Sequence, residues 1–226
     1  MRIVMLDRQS LDQGDLDFSG FDRIAPGMQT YPQTQPAQIQ QHIDGAGVVI
    51  TNKVILDREC LARASSLKLI CVAATGTNNV DLAAASDYGI LVCNARAYAT
   101  ASVVEHVFGL MISLCRNLGD YTQASRDGRW AASDQFCVLD RPISELNGKV
   151  LGIVGYGELG QAVAKVAEAF GMQVLIANRP GADGVKTGRM MLSELLPQVD
   201  ILSLHCPLTA TTRNLIDAQA LQEMQP

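Results

Sequence analysis

Residues 149–160, Lys149-Val150-Leu151-Gly152-Ile153-Val154-Gly155-Tyr156-Gly157-Glu158-Leu159-Gly160, decide how the rest of the chain reads. Residues 149–154 form a short apolar, β-branched run. From Gly160, residues Val163, Val166, Ala167 and Phe170 fall on one helical face before Gly171 stops it. Between strand and helix stands G-x-G-x-x-G. A glycine triplet alone is common in turns, but a preceding strand and a following amphipathic helix give it meaning. Gly155 then permits the tight turn, Gly157 admits a pyrophosphate close to the backbone, and Gly160 lets the helix pack on the strand. The free N–H groups and positive dipole of that helix end suit a diphosphate.

Working outward toward the C-terminus, residues 173–177 read as the next strand and end at Asn178-Arg179-Pro180. This position, about 20 residues past the glycines, reads the adenosine ribose. A site for NAD(H) wants a carboxylate there. Asn178 can instead hydrogen-bond a ribose, and Arg179 can fork onto a 2′-phosphate, which favours NADP(H) over NAD(H). Residues 200–204 form a further strand, ending against His205-Cys206-Pro207, where ligands bind in open α/β sheets. Pro207 ends the ladder. His205 has no orienting carboxylate in sequence, so a positional role is expected rather than proton transfer. Residues 217–225 start another helix.

Toward the N-terminus the same alternation continues. Strands are expected at 2–6, 47–51, 67–72 and 90–93, with helices near 36–43, 57–64 and 81–88. Asp57 and Asp81 stand at N-cap positions, and Gly89 is a good stop. Apolar strands alternating with helices imply parallel sheets covered on both faces. Residues 100–116 read as a helix apolar almost all round, expected to lie buried between layers or subunits. Ser102 and Glu105 match a capping box, which gives Glu105 a structural role. Residues 119–146, with the only tryptophan (Trp130) and Pro142, look like an irregular connector.

Composition removes several classes of function. The chain has 226 residues, 48% apolar, 18% charged and 5% aromatic, with formal net charge −5, so it is neither disordered nor built to neutralise nucleic-acid phosphate. Residues 103–115 are too short and too polar at Glu105 and His106 to span a bilayer, and the N-terminus has no export signal. The six cysteines are scattered without metal spacing and read as reduced core thiols of a cytoplasmic protein. His42 and His106 read as packing or surface residues.

Several linked segments together resemble one family. They are 74–81 (ATGTNNVD), 89–94 (GILVCN), Val104-Glu105, 127–130 (DGRW), 145–149 (ELNGK), the glycine turn, and 205–209 (HCPLT) with Thr212-Arg213. In this order and spacing they are similar to the D-isomer-specific 2-hydroxyacid dehydrogenases, most of all the glycerate dehydrogenase and hydroxypyruvate reductase branch. The resemblance implies two doubly wound parallel-sheet domains: a flavodoxin-like substrate domain over 1–98 and a Rossmann-type dinucleotide domain over 99–226. It implies hydride transfer between nicotinamide and a small 2-keto or 2-hydroxy acid, in a homodimer. By the same resemblance, backbone amides at Thr75 and Gly76 hold the substrate carboxylate, with Gly76 letting the backbone turn toward the anion. Thr75 and Val104 lie near the nicotinamide. Glu158 and Leu159 meet the pyrophosphate, and His205, Cys206 and Pro207 touch the cofactor. Lys53, at a strand end, is a candidate for steering the anion.

The family's Arg, Glu and His for proton handling come after the His205–Arg213 motif, so no residue of this chain is expected to be the catalytic acid–base. At about 30 residues per βα unit, about 90 residues of the family pattern are expected to follow. The dinucleotide domain would then be incomplete on its C-terminal side. The strand at 200–204 would have an open edge, and the chain by itself would be inactive. The alternative reading is a non-catalytic dinucleotide-binding sensor or partner protein.

Overall fold

The computed structural model describes residues 1–225. The chain divides into two compact units, Met1–Tyr98 and a second that begins at Ala99. The first unit runs β1 (Arg2–Met5), α1 (Ser19–Ile24), β2 (Gln29–Thr30), α2 (Ile39–Ile43), β3 (Ala46–Thr51), α3 (Arg58–Arg63), β4 (Leu69–Val72), α4 (Leu82–Asp87), β5 (Leu91–Asn94). Its five strands are all parallel, in the order β2-β1-β3-β4-β5. This is the flavodoxin-like order, whose direction of winding reverses between β1 and β3.

Local chemistry explains the elements. Every residue of β3 is buried, as a central strand covered on both faces requires. Val4, Leu6, Val49, Leu56, Leu61 and Ile70 form one cluster with it, and each wholly buried aliphatic side chain contributes about 1.5–3 kcal/mol. Asp57 and Asp81 cap their helices, accepting from the backbone N–H of Cys60 and Ala84 at 2.8 Å each. The expected helix near 36–43 begins as a 3-10 turn over Pro36–Gln38 and becomes α-helical at Ile39. Elements β2 and α1 were not expected. A two-residue strand of Gln and Thr carries no periodic signal.

The second unit runs α5 (Thr100–Cys115), α6 (Leu118–Arg126), β6 (Val150–Val154), α7 (Glu158–Ala169), β7 (Gln173–Ile176), α8 (Leu192–Leu195), β8 (Ile201–Leu204), α9 (Ala218–Glu223). Its strands are parallel in the order β7-β6-β8. Leu151, Ile153 and Val154 of central β6 are wholly buried. On one side α5 and α7 pack together, with Phe108 stacked on Phe170 at 5.2 Å between ring centroids. Among the described residues β8 pairs with β6 alone, so its other edge is open, as expected.

Four expectations are corrected here. The connector is not irregular throughout: Leu118–Arg126 is helical, its polar, Gly-containing sequence having hidden the pattern. The capping box at Ser102 and Glu105 does not form. Helix α5 starts at Thr100 with Ala99 as N-cap, so both residues lie inside it and are exposed. Nor is α5 covered between layers on every side within this chain, so of the two expected settings the layers alone do not bury it. Phe108 and Met111 are buried, whereas Leu110 and Leu114 are 52% and 77% exposed. Finally, the six cysteines are free thiols, but none is fully buried and Cys93 is exposed. No helix among the described residues is long and apolar enough to cross a membrane.

Candidate functional site

The glycine turn connects β6 to α7. Gly155 has φ +95°, a conformation that favours glycine. It is hemmed in as well: a Cβ there would lie 2.5 Å from the backbone N of Cys206 and 2.7 Å from the carbonyl oxygen of His205. Tight apposition of two loops, in addition to the turn, therefore dictates this glycine. Gly160 is buried against the Gly155 carbonyl, which leaves no room for a side chain. Gly157 differs. It is exposed with ordinary φ, and a Cβ on it would meet nothing within 4 Å. The open space lies over the start of α7, which Glu158 and Leu159 begin.

No side chain caps that helix. Its first-turn N–H groups have no intrahelical partner. Glu158 is turned aside, accepting a hydrogen bond from Thr100 Oγ1. Val104 of α5 and Tyr156 of the turn pack against the same core cluster. His205 follows β8 and donates its backbone N–H to Val154 O at 2.7 Å. Its Nε2 lies 2.9 Å from Ser203 Oγ, and burial holds its pKa below the usual histidine value. Pro207 is exposed, and its carbonyl accepts from Thr212 Oγ1 at 2.6 Å, which folds the loop after His205–Cys206 back on itself.

Asn178 and Arg179 end β7, but they do different work. Asn178 is buried. Its amide donates to Gly184 O at 2.8 Å and accepts from the backbone N–H of Lys186 at 3.2 Å. Asn178, expected to hydrogen-bond a ribose, uses one donor and one acceptor of its amide to fasten the 181–189 loop. Arg179 is exposed and lines a cavity of about 480 Å³ with Lys186 and Arg189 of that loop. Asp183 is the one carboxylate in its wall. None of the three cations is ion-paired among the described residues. The sequence reading missed Lys186 and Arg189; two basic residues flanking Gly188 carry no signal until Asn178 folds the loop.

In the first unit, Lys53 follows β3 while Thr75 and Gly76 follow β4. Thr51 and Val72 are register partners, so both loops leave the same end of the sheet. Buried Asp7 holds the first loop, accepting from the backbone N–H of Asn52 at 2.9 Å and of Lys53 at 2.6 Å. Asn79 ties the loops together by donating to Val54 O at 3.1 Å, and Asn94 donates to Thr75 O at 2.7 Å. Thr75 and Gly76 are exposed. Gly76 has no left-handed φ; its lack of a Cβ instead relieves a 3.2 Å approach by Asn78 Oδ1. Exposed Lys53 lines a cleft of about 730 Å³, with Ser10, Thr34 and Arg63 in its walls, whereas Thr75 and Gly76 lie outside that cleft.

Comparison with known proteins follows the same line. Residues 108–226 match the family model described as D-isomer specific 2-hydroxyacid dehydrogenase, NAD binding domain. A putative 2-hydroxyacid dehydrogenase of Haemophilus influenzae is 45% identical over 86% of this chain and 62% of its own length. A glycerate dehydrogenase of Methylorubrum extorquens is 42% identical over 99% of this chain and 69% of its own. A solved D-lactate dehydrogenase of Aquifex aeolicus, complexed with NAD and lactic acid, superimposes with TM-score 0.80 at 26% identity, over 99% of this chain and 66% of that one. The chain thus spans about two thirds of the length of the proteins it matches.

Proposed function

Because the chain belongs to the D-isomer specific 2-hydroxyacid dehydrogenase family, we propose that it forms the cofactor- and carboxylate-binding part of an oxidoreductase. The reaction is hydride transfer between a nicotinamide dinucleotide and a small D-2-hydroxy or 2-keto acid of the glycerate, hydroxypyruvate or glyoxylate type. When bound, the nicotinamide supplies or takes up the hydride.

The chain's own residues account for binding and orientation. Backbone N–H groups of Glu158 and Leu159 hold the diphosphate at the uncapped start of α7. Open space above Gly157 fits this use, since a Cβ there would enter the volume the diphosphate takes. Gly155 and Gly160 keep β6, α7 and the loop of His205, Cys206 and Pro207 close enough to line one crevice. In the second unit, Val104 borders the nicotinamide end. The backbone amides of Thr75 and Gly76 grip the substrate carboxylate, with Asn94 holding their loop, and Lys53 draws in the anion. His205 is a positioning residue, its Nε2 engaged with Ser203. No residue here is assigned to transfer the proton or polarise the carbonyl.

The cofactor reading goes further, to NADP(H) over NAD(H). Its support is the pocket walled by Arg179, Lys186 and Arg189 where the adenosine ribose is read. A 2′-phosphate placed there gains charge-assisted hydrogen bonds that a 2′-hydroxyl cannot make. We also read exposed Leu110 and Leu114 as part of a homodimer face, and the cytoplasm as the working compartment. No nucleic acid or membrane is a partner in this reading.

The single observation that carries the proposal is the uncapped helix start facing empty space at Gly157. Titration of the intact protein with NADPH and NADH tests it. Micromolar binding of either, with hydroxypyruvate-dependent oxidation of the reduced form, supports the reading; absence of binding to both overturns it.

A further inference from the structure

Cys71 and Cys93 are register partners on the adjacent parallel strands β4 and β5. Paired strands lie about 4.8 Å apart, within the Cα separation that a disulfide spans. The two side chains leave the same face of the sheet, and their sulfurs are 3.5 Å apart. Strand β5 is the sheet edge, and on this face Leu91, two residues before Cys93, is 72% exposed. Cys93 is exposed and Cys71 half-buried. One rung further on, Val72 pairs with Asn94, the residue that holds the Thr75 carbonyl. Ala95 adds backbone bonds to the carbonyls of Val72 and Ala74 at 3.2 and 3.1 Å. The thiol pair therefore lies directly under the clamp of the 73–78 loop.

We propose that Cys71 and Cys93 form an oxidisable dithiol site that a hydroperoxide closes to a disulfide, loosening the loop that carries Thr75 and Gly76. The consequence for the loop rests on the carboxylate role given above; the disulfide does not. In the first step the Cys93 thiolate attacks a peroxide oxygen. The O–O bond breaks, and the sulfenic acid forms as the released hydroxide takes a proton to become water. In the second step the Cys71 sulfur attacks the Cys93 sulfur and the S–O bond breaks. The departing hydroxide takes the Cys71 proton and leaves as a second water. Two thiols and one hydrogen peroxide become one disulfide and two waters. Burial and the neighbouring Cys93 push the Cys71 thiol up to about 11, so Cys71 attacks as the second sulfur with its proton still to lose. Closing the sulfurs from 3.5 Å to about 2.05 Å turns both side chains and ties Cys93 to β4, which shifts the adjoining Asn94 against Thr75. A bond this exposed stays readily reducible.

Intact protein is treated with hydrogen peroxide, alkylated, and mapped by mass spectrometry without reduction, in wild type and in Cys93→Ser. The expected result is a 71–93 linked peptide in wild type, reversed by dithiothreitol and absent in the variant. Alongside it, KM for hydroxypyruvate should rise about 3-fold or more, within the range by which such coupling acts, with NADPH affinity unchanged. Free, alkylated Cys71 beside oxidised or unmodified Cys93 overturns the site, whatever the enzyme's activity. A complete link with unaltered KM, or a KM shift that persists in Cys93→Ser, overturns its connection to the loop.

Discussion

Gly160 sits with its Cα against the carbonyl of Gly155, so closely that a Cβ on Gly160 would overlap the Gly155 oxygen. Five residues apart, the two glycines press the start of α7 onto the end of β6. Gly160→Ala must therefore push the helix away and disturb the turn. Overpacking of this kind costs about 1–3 kcal/mol. Chemical denaturation of the second unit's helical signal should show a lowered midpoint; an unchanged midpoint would mean that helix and strand are not pressed together as described.

Gly157→Val should behave in the opposite way. A Cβ there meets nothing within 4 Å and φ is ordinary, so the fold is kept. It fills the space assigned to the diphosphate, and dinucleotide affinity should fall about 100-fold or more, equivalent to about 2.7 kcal/mol. Calorimetry with NADPH checks this, and full affinity in a folded variant would take the turn out of the binding site.

Lys186→Ala and Arg189→Ala should each weaken NADPH about 10-fold while leaving NADH nearly unaffected, since hydrogen bonds between charged partners are worth about 1.5–3 kcal/mol. Arg179→Ala should do the same. A parallel loss for both cofactors would place these cations elsewhere than at a 2′-phosphate. Asn178→Ala should resemble the double loss of Lys186 and Arg189, because Asn178 fastens their loop.

How much of this was legible differs by element. The second sheet and its turn were readable because strand, glycines and helix constrain one another within about 20 residues. Asp57 and Asp81 were readable as caps for the same local reason. Asp7 was not, because its partners Asn52 and Lys53 are far away in sequence and meet it only once β1 and β3 pair. Lys186 and Arg189 stayed hidden behind the fold of a single loop. Which face of α5 meets the core could not be read because its sequence is apolar on nearly every side, so periodicity could not tell Phe108 and Met111 from Leu110 and Leu114.

Asp7→Ala should destabilise the first unit by about 2–3 kcal/mol, since it strands two backbone N–H groups of which one, on Asn52, is buried. Urea titration measures this. A change within experimental error would show that the loop carrying Lys53 is held by something other than Asp7.

Acidification should lower stability before Asp12 and Asp200 take up protons. Burial lowers the pKa of both His42, stacked on Tyr31 with ring centroids 3.6 Å apart, and His205. Below about pH 6.5 the unfolded chain binds these protons and the folded chain does not. Their contribution is therefore whole above that pH and is lost as pH falls toward the folded values. The depressed carboxyls of Asp12 and Asp200, held down chiefly by Arg8 and Lys149, withdraw theirs only below about pH 4. Urea midpoints at pH 7.5 and 5.5 should differ in wild type and differ less in His42→Gln; equal drops in the two would contradict the assignment.

The most direct test is a crystal structure of the protein grown with NADPH. The account predicts the diphosphate against the amides of Glu158 and Leu159, above Gly157, with the 2′-phosphate among Arg179, Lys186 and Arg189. Nucleotide bound anywhere else, with the turn from Gly155 to Gly160 left bare, would contradict it.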